Sequence, residues 1–600
     1  MSEQNRSEEA TGAERQENGN RLQENGSRKQ EDGSRKQEDG NRLQEDGSRP
    51  QEEQPIRQQP DRTDGSEEQA AARASISRRK LLASVGLVSA AMAAGTVMSR
   101  ITPGYARSKD GEVVDSVYEN TAGKKKAKLQ PLISMTGPIV NVRDFGAAGD
   151  GTNDDTAAIR SALSAVPEGG TVFFPLGTYL VTGNLSVQTN CITLEGQGCQ
   201  SKIVYTYEQT VADTEQTASL FTFQAGLTGI TVKRLNLHYT GTFFPNVGES
   251  YNGKVSALIF NRCEDVLVEK VDISGFNANA IYVSGTSSAY AKRFKVHQCY
   301  LHHNRVAGVL FGYVEFISII DCDLEYHGSQ LDGGTGYGCA GFSGAMPMHI
   351  QIIGNRANYN YRKGIDLHAG LNAIIEGNIC HGNRLYGIYA VGPRTGNVTI
   401  RGNFISGMRR QTIGIPAPYT WITGISFGHY STALTPYEYE NYLIEGNTLT
   451  DFGMGEGEAY PIYGYFNFQK GTVQIKNNVI RAGRISYLIL LSTATSAGNR
   501  DTKVDVSGNQ AFVEECTEYT LYLPQCKQLN VQGNQLSTHQ TNRHDGVTVV
   551  DNGSLQTFTC IGNHIEDPLI AQPSALKGYN QTWLTSKSYK AGNFLNGTLE

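Results

Sequence analysis

A four-residue kernel constrains this chain more than any other feature. It is an apolar residue, two further residues and an asparagine. It reads Ile352 to Asn355, Ile375 to Asn378, Ile400 to Asn403 and Ile444 to Asn447, then Ile475 to Asn478, Val506 to Asn509, Val531 to Asn534 and Cys560 to Asn563. Successive kernels lie about 23 to 44 residues apart, within the range of solenoid periods. Less regular units upstream put Leu235, Val271, Cys299 and Cys322 in the asparagine slot. Between kernels runs a second apolar stretch, opened by a small residue: Ala280-Ile281, Gly308-Val309, Gly364-Ile365, Gly387-Ile388 and Gly424-Ile425. Short strands, frequent turns and this period predict an all-β chain. The fold expected is one single-stranded, right-handed parallel β-helix, in which each coil buries its inward residues against the next. An asparagine after glycine at one turn predicts a left-handed residue there, with its amide bonding neighbours along the stack. The slot is therefore read as structural, and the cysteines in it as packing.

One strand stands apart: Arg362-Lys363-Gly364-Ile365-Asp366-Leu367-His368. Side chains alternate along a strand, so Asp366 and His368 share a face while Ile365 and Leu367 share the other. The polar pair predicts a surface site. The same alternation turns Tyr282, Ser284, Leu310, Tyr389 and Ser426 outward on other coils. The turn before this strand carries Arg305, Arg362, Lys363 and Arg384, a basic rim suited to carboxylates on a substrate. Arginines solvated at an edge are the plainer alternative. Two long insertions, about 327–347 and 408–442, interrupt the coils, and the second holds Trp421 with several tyrosines. Aromatic faces stack on sugar rings, and loops on a rigid scaffold often carry binding sites. Packing of the insertions onto the solenoid would use the same residues.

The ends of the chain read differently. Residues 1–76 repeat a seven-residue unit from Gln16 onward, each with a glycine and without paired apolar positions. That rules out a coiled coil and predicts a disordered spacer. Residues 77–106 open with Ser77-Arg78-Arg79-Lys80-Leu81-Leu82 before an uncharged run rich in alanine and glycine. The run is too short and too weakly apolar for a permanent span. Residues 107–138 read as a linker, 139–570 as the solenoid and 571–600 as a C-terminal tail. The net charge of −6 argues against nucleic acid as a partner. The 10 cysteines are scattered and form no Cys-x-x-Cys pair, which argues against zinc or thiol-redox chemistry. Oligomeric state is not legible.

The twin arginines and the segment after them resemble a twin-arginine export signal, with Gly104-Tyr105-Ala106 as its cleavage site. That resemblance implies a secreted protein without stable membrane insertion once the signal is removed. An uncleaved anchor is the alternative. The opening of the solenoid, Asn141 to Gly146, Gly149 to Ile159, Gly169 to Pro175, Gly177 to Tyr179 and Leu194 to Gly198, resembles the entry segment of the pectate-lyase-like superfamily of rhamnogalacturonases, epimerases and their relatives. There Asp154 or Asp155 is expected to cap a helix over 154–165 that covers the open end of the stack. Lys363 to His368 resembles a motif of alginate C5-epimerases and related lyases, with Lys363 replacing a tyrosine and Leu367 a proline. The resemblance implies an acidic polysaccharide as partner, and Asp366, His368 and Lys363 as the groups that move the proton α to a uronate carboxylate. Arg305, Arg362, Arg384, Tyr389 and Trp421 would bind the polymer. Two alternatives remain open. One is a glycoside hydrolase pairing Asp366 with Asp321, Asp323 or Glu325. The other is a solenoid that only binds. No cofactor is implied, although Asp321 and Asp323 are oxygen donors of the kind calcium takes.

Overall fold

The computed structural model describes residues 137–208, 218–241, 255–328, 335–341, 345–392, 395–408, 421–428, 440–453, 458–466, 470–493, 501–523, 526–538, 547–549, 555–566, 576–578, 588–595 and 598–599. The N-terminal repeats, the twin-arginine segment and nearly all of the linker lie outside these residues. So do the insertion segments 409–420 and 429–439.

The described strands stack into three parallel faces. The first is a sheet of 16 strands, from Ile139–Asn141 to Ser588–Ala591, and it contains the apolar half of every asparagine kernel. The second face consists of short strands in sheets of 7 and 9, joined by isolated bridges from Asp323 through Arg356 to Ile379. The third is a sheet of 14 strands and contains the Gly-Ile runs. In this third sheet Ile281, Val309, Cys339, Ile365, Ile388, Ile425, Ile462 and Ile489 lie in one register, all at 0% exposure. Each such side chain contributes roughly 1.5–3 kcal/mol by burial, and only because the neighbouring coil is present. The glycine before the branched residue has its own cause. A Cβ on Gly364 would lie 2.7 Å from the carbonyl oxygen of Gly387, and one on Gly387 2.8 Å from that of Gly424.

The asparagine slot forms a continuous ladder. Asn355 Nδ2 donates to Ile319 O at 2.8 Å and to Asn378 Oδ1 at 3.0 Å, and its backbone N–H donates to the same Oδ1 at 2.9 Å. The pattern repeats through Asn403, Asn447, Asn478, Asn509, Asn534 and Asn563, all essentially inaccessible to solvent. Upstream, Cys322 N–H donates to Asn355 Oδ1 at 2.9 Å, and the Cys299 N–H faces Cys322 Sγ at 3.5 Å. The left-handed residue, however, is the one before the slot. Gly354, Gly377, Gly402 and Gly446 have φ between +60° and +68°, and Arg234, Lys270, Gln298 and Asp321 take the same conformation in the earlier coils. The asparagine supplies the amide and its predecessor makes the bend. A second, shorter ladder occupies the next corner, through Asn304, His327, Asn360 and Asn383.

One further expectation is narrowed, to Asp154 as the residue whose side chain caps the helix, and two are corrected. The helix spans Thr156–Ala165, with Ile159, Ala162 and Leu163 buried, and it packs over the two edge strands Ile139–Asn141 and Leu185–Val187. Asp155 does not cap it by side chain. Its carboxylate accepts the N–H groups of Ala148 and Gly149 instead, and Asp154 accepts that of Thr156 at 3.0 Å. The insertion expected at 327–347 contains a coil strand, Tyr337–Gly341, paired between Ala307–Gly312 and Lys363–Leu367. The solenoid also runs past residue 570. Strands Leu576–Gly578 and Ser588–Ala591 extend two faces, Asn593 accepts from Asn563 at 3.0 Å, and an antiparallel pair, Phe594–Leu595 with Thr598–Leu599, follows.

Candidate active site

The strand Lys363–Leu367 lies inside the third sheet, paired with Tyr337–Gly341 on one side and Tyr386–Val391 on the other. Alternation puts Ile365 and Leu367 into the core and Asp366 on the opposite face, while Lys363, at the start of the strand and in register with Tyr337 and Tyr386, carries its ammonium round to Asp366. Asp366 is in register with Ala340 and Tyr389 on that face. His368 follows just past the strand end.

These three groups converge. Asp366 Oδ2 accepts from His368 Nδ1 at 2.9 Å and from Lys363 Nζ at 3.1 Å, and Lys363 Nζ is 3.4 Å from His368 Nε2. The Lys363 ammonium sits 3.6 Å from the centre of the Tyr389 ring, with Tyr386 at 5.3 Å and Tyr337 at 5.7 Å, so aromatic faces surround it. Trp421 Nε1 donates to Tyr386 Oη at 2.7 Å and holds that ring in place. The His368 ring packs 5.2 Å from Tyr389.

The cluster is not an open surface pair, which corrects the sequence expectation. Asp366 is 0% exposed and Lys363 2%, while His368 keeps 27% of its side chain in solvent. Burial pulls the Lys363 ammonium down to about 7, with Arg362 adding to the effect and Asp366 opposing it. Burial also lowers His368 against the pull of Asp366. For Asp366 itself burial would raise the pKa, but His368 and Lys363 outweigh it and hold the carboxyl below its usual range. Oδ1 of Asp366 is buried with no hydrogen-bond partner among the described residues.

The basic rim is likewise not solvated. Arg305 and Arg384 are 5% and 6% exposed. Arg384 stacks its guanidinium 4.1 Å over the Tyr361 ring, Arg362 donates to Tyr337 Oη at 3.2 Å, and Thr335 Oγ1 donates to the Arg305 carbonyl. Arg362 adds to the lowering of both Lys363 and His368. Tyr386 belongs to the site and was missed, as was the place of Tyr337, expected in an insertion, on the coil strand beside Lys363. Their signal was the position before Gly338 and Gly387, the one Lys363 holds before Gly364.

The carboxylates considered for a hydrolase lie elsewhere. Asp323–Glu325 is a strand of the second face, Asp323 pairs with Arg356, and Glu325 accepts from Asn358 at 2.9 Å. Asp321 occupies the left-handed corner before Cys322. Among the described residues no three or more His, Cys, Asp or Glu groups come together as metal ligands.

Residues 139–229 match the family described as rhamnogalacturonase A/epimerase, pectate lyase-like, and residues 256–414 and 340–512 match the right-handed beta helix region. The folded part is a pectate-lyase-like parallel β-helix. This β-helix is 24% identical over 429 residues to the uncharacterized protein YclG of Bacillus subtilis (strain 168), across 63% of this chain and 67% of that one. Mannuronan C5-epimerase AlgE5 of Azotobacter vinelandii is 49% identical over 57 residues, 9% of this chain and 6% of the epimerase. The chain thus spans a small fraction of the epimerases it matches. Plasmin and fibronectin-binding protein A of Streptococcus pneumoniae (strain ATCC BAA-255 / R6) is 51% identical over 73 residues, 11% of this chain and 10% of that one. Among solved structures, the Dettilon tailspike protein superposes with a TM-score of 0.41 at 15% identity, over 75% of this chain and 70% of the tailspike.

Proposed function

We propose that this protein acts on a polysaccharide bearing uronate carboxylates, and that His368 removes the proton α to one of them. The observation that carries the reading is the Asp366 carboxylate bridging His368 Nδ1 and Lys363 Nζ at 2.9 and 3.1 Å. A ring whose Nδ1–H is held by a carboxylate presents Nε2 as the base. His368 is the member of the trio with solvent access. Its lowered pKa keeps it neutral, and so competent as a base, at neutral pH. In the step itself the C5–H bond breaks, the proton goes to Nε2, and the electron pair moves into the carboxylate as an enediolate. The Lys363 ammonium offsets that charge in a site poor in water. Expulsion of the 4-linked oxygen, which leaves as a hydroxyl with the proton taken up by His368, then gives an unsaturated uronate, whereas a proton delivered from water on the other face gives the C5 epimer and His368 returns its proton to solvent. The 57-residue similarity to mannuronan C5-epimerases and a 45-residue similarity, at 56% identity, to alginate lyase 7 of Azotobacter vinelandii support this chemistry. Arg78 and Arg79 support export of the protein.

The test is incubation with polymannuronate and polygalacturonate. Absorbance at the unsaturated-sugar band marks a lyase, and a changed uronate ratio by proton NMR marks an epimerase. New reducing ends without unsaturation would mark a hydrolase and sink the reading. Binding without any product would leave a solenoid that only binds; the pneumococcal relative is named for binding plasmin and fibronectin.

A further inference from the structure

The outer face of the third sheet differs on the two sides of the Lys363–Asp366–His368 cluster. Toward the N-terminal end, the register of Lys363 holds Tyr337 and then Ala307, and that of Asp366 holds Ala340, Leu310 and then a single tyrosine, Tyr282. Toward the C-terminal end they fill with tyrosine. Tyr389 lies next to Asp366, and after Ser426 comes Tyr463, beside Tyr460 with ring centres 5.7 Å apart. The row continues by stacking from Tyr460 to Tyr487 and from Tyr487 to Tyr519, each 5.8 Å apart. Tyr522 returns to the register of Asp366 through Leu490. All of these rings are partly exposed. From the strand of Lys363 to that of Tyr522 there are five inter-strand steps. At about 4.8 Å each this is roughly 24 Å. A step is close to the length of one pyranose in an extended 1,4-linked chain.

We propose that these tyrosines floor a one-sided track for the polysaccharide, placing several sugar residues on the C-terminal side of His368 and few on the other. The proposal rests on the reading of His368 as the reacting group. The track's own chemistry points to sugar faces and hydroxyls as what it reads. Aromatic rings stack on the apolar faces of pyranoses. Glu458 accepts from the Tyr460 hydroxyl at 2.5 Å, and Glu518 lies close enough to Tyr487 to help raise its phenol pKa. Carboxylates at that position accept from sugar hydroxyls and would repel substrate carboxylates. The carboxylate of the substrate is therefore read at Lys363, and the rest of the chain by stacking. Binding along the track should depend little on salt.

Calorimetry with size-defined oligomannuronates and oligogalacturonates, from disaccharide to octasaccharide at low and high salt, tests this. The expected result is affinity that rises with each sugar to about the hexasaccharide, with the increment beyond the trisaccharide surviving high salt. Tyr487→Ala with Tyr522→Ala should reduce octasaccharide affinity by about tenfold or more, some 1.4 kcal/mol, and leave the trisaccharide unchanged. Affinity that is flat beyond the trisaccharide, or an increment abolished by salt, overturns the track. The wild-type length series decides the question even where the double variant fails to fold. Length-dependent binding without turnover keeps the track and removes the proton-transfer reading. Turnover with flat binding does the reverse.

Discussion

Burying an ammonium and a carboxylate together rarely adds to stability, because desolvation takes back most of what their attraction gives. Lys363 and Asp366 are both essentially inaccessible, so the pair is better explained by what it does for His368. The alkaline limb of kcat/KM should follow loss of the Lys363 proton, near 7. The acid limb should follow protonation of His368, below its ordinary value. Activity is thus expected to rise as pH climbs through the acid limb and to fall again above about 7, and Lys363→Met should remove the alkaline limb while slowing turnover. His368→Ala and Asp366→Asn should each lower turnover by about a hundredfold or more, as expected for a positioned proton-transfer pair. Unchanged far-UV spectra and melting would show that folding is intact. Full activity in either variant would place the chemistry elsewhere. Ser284→Ala, in register with Gly312 on a distant coil, should have little effect.

The asparagine ladder is the element that ties coil to coil, and its cost when broken follows from what it satisfies. Asn478 Oδ1 takes the N–H of Asn447 at 3.0 Å, and its Nδ2 reaches Ile444 O at 2.9 Å. Asn478→Ala leaves both groups buried without partners, which should cost about 2–6 kcal/mol at roughly 1–3 for each orphaned group. A urea titration measures it, and a shift well under 1 kcal/mol would mean the corner relaxes to let water in. This element was legible in the sequence because the side chain that makes the bond is itself the repeated letter. The bend was not, since Gly354 and Asn355 are adjacent and the sequence alone does not say which turns left-handed. The second ladder was hidden by His327 standing between Asn304 and Asn360. The convergence of Asp366 and His368 followed from alternation along one strand. Their burial did not, because it depends on Tyr386, Tyr389 and Trp421, which belong to other coils.

At the scale of the molecule, one buried carboxyl should couple stability to pH. Glu440 lies inside the solenoid at 1% exposure, and burial raises its pKa to about 7 against only a weak lowering by Tyr442. The hydroxyl of Tyr442 lies 2.5 Å from the Thr395 carbonyl and 3.0 Å from Glu440 Oε2, so its one hydrogen is shared between two acceptors and stabilises the carboxylate little. The folded state therefore holds a proton that the unfolded chain releases near 4.5. The contribution is fully present below that value and is lost as pH rises through about 7, to a total on the order of 3 kcal/mol. Glu440→Gln should flatten that slope in urea midpoints collected across the range. For export, Arg78→Lys with Arg79→Lys should retain the protein in the cytoplasm, and unchanged secretion would remove the twin-arginine reading. Neighbouring rungs of the ladder are separated by as few as 23 residues, from Asn355 to Asn378, and as many as 44, from Asn403 to Asn447, yet they meet at 3.0 and 2.9 Å. The scaffold is blind to the length of chain that leaves one corner and returns to the next. The chain between rungs can therefore be lengthened, shortened or exchanged while the rungs stay in register, so a lineage can change what it recognises without renegotiating how it folds.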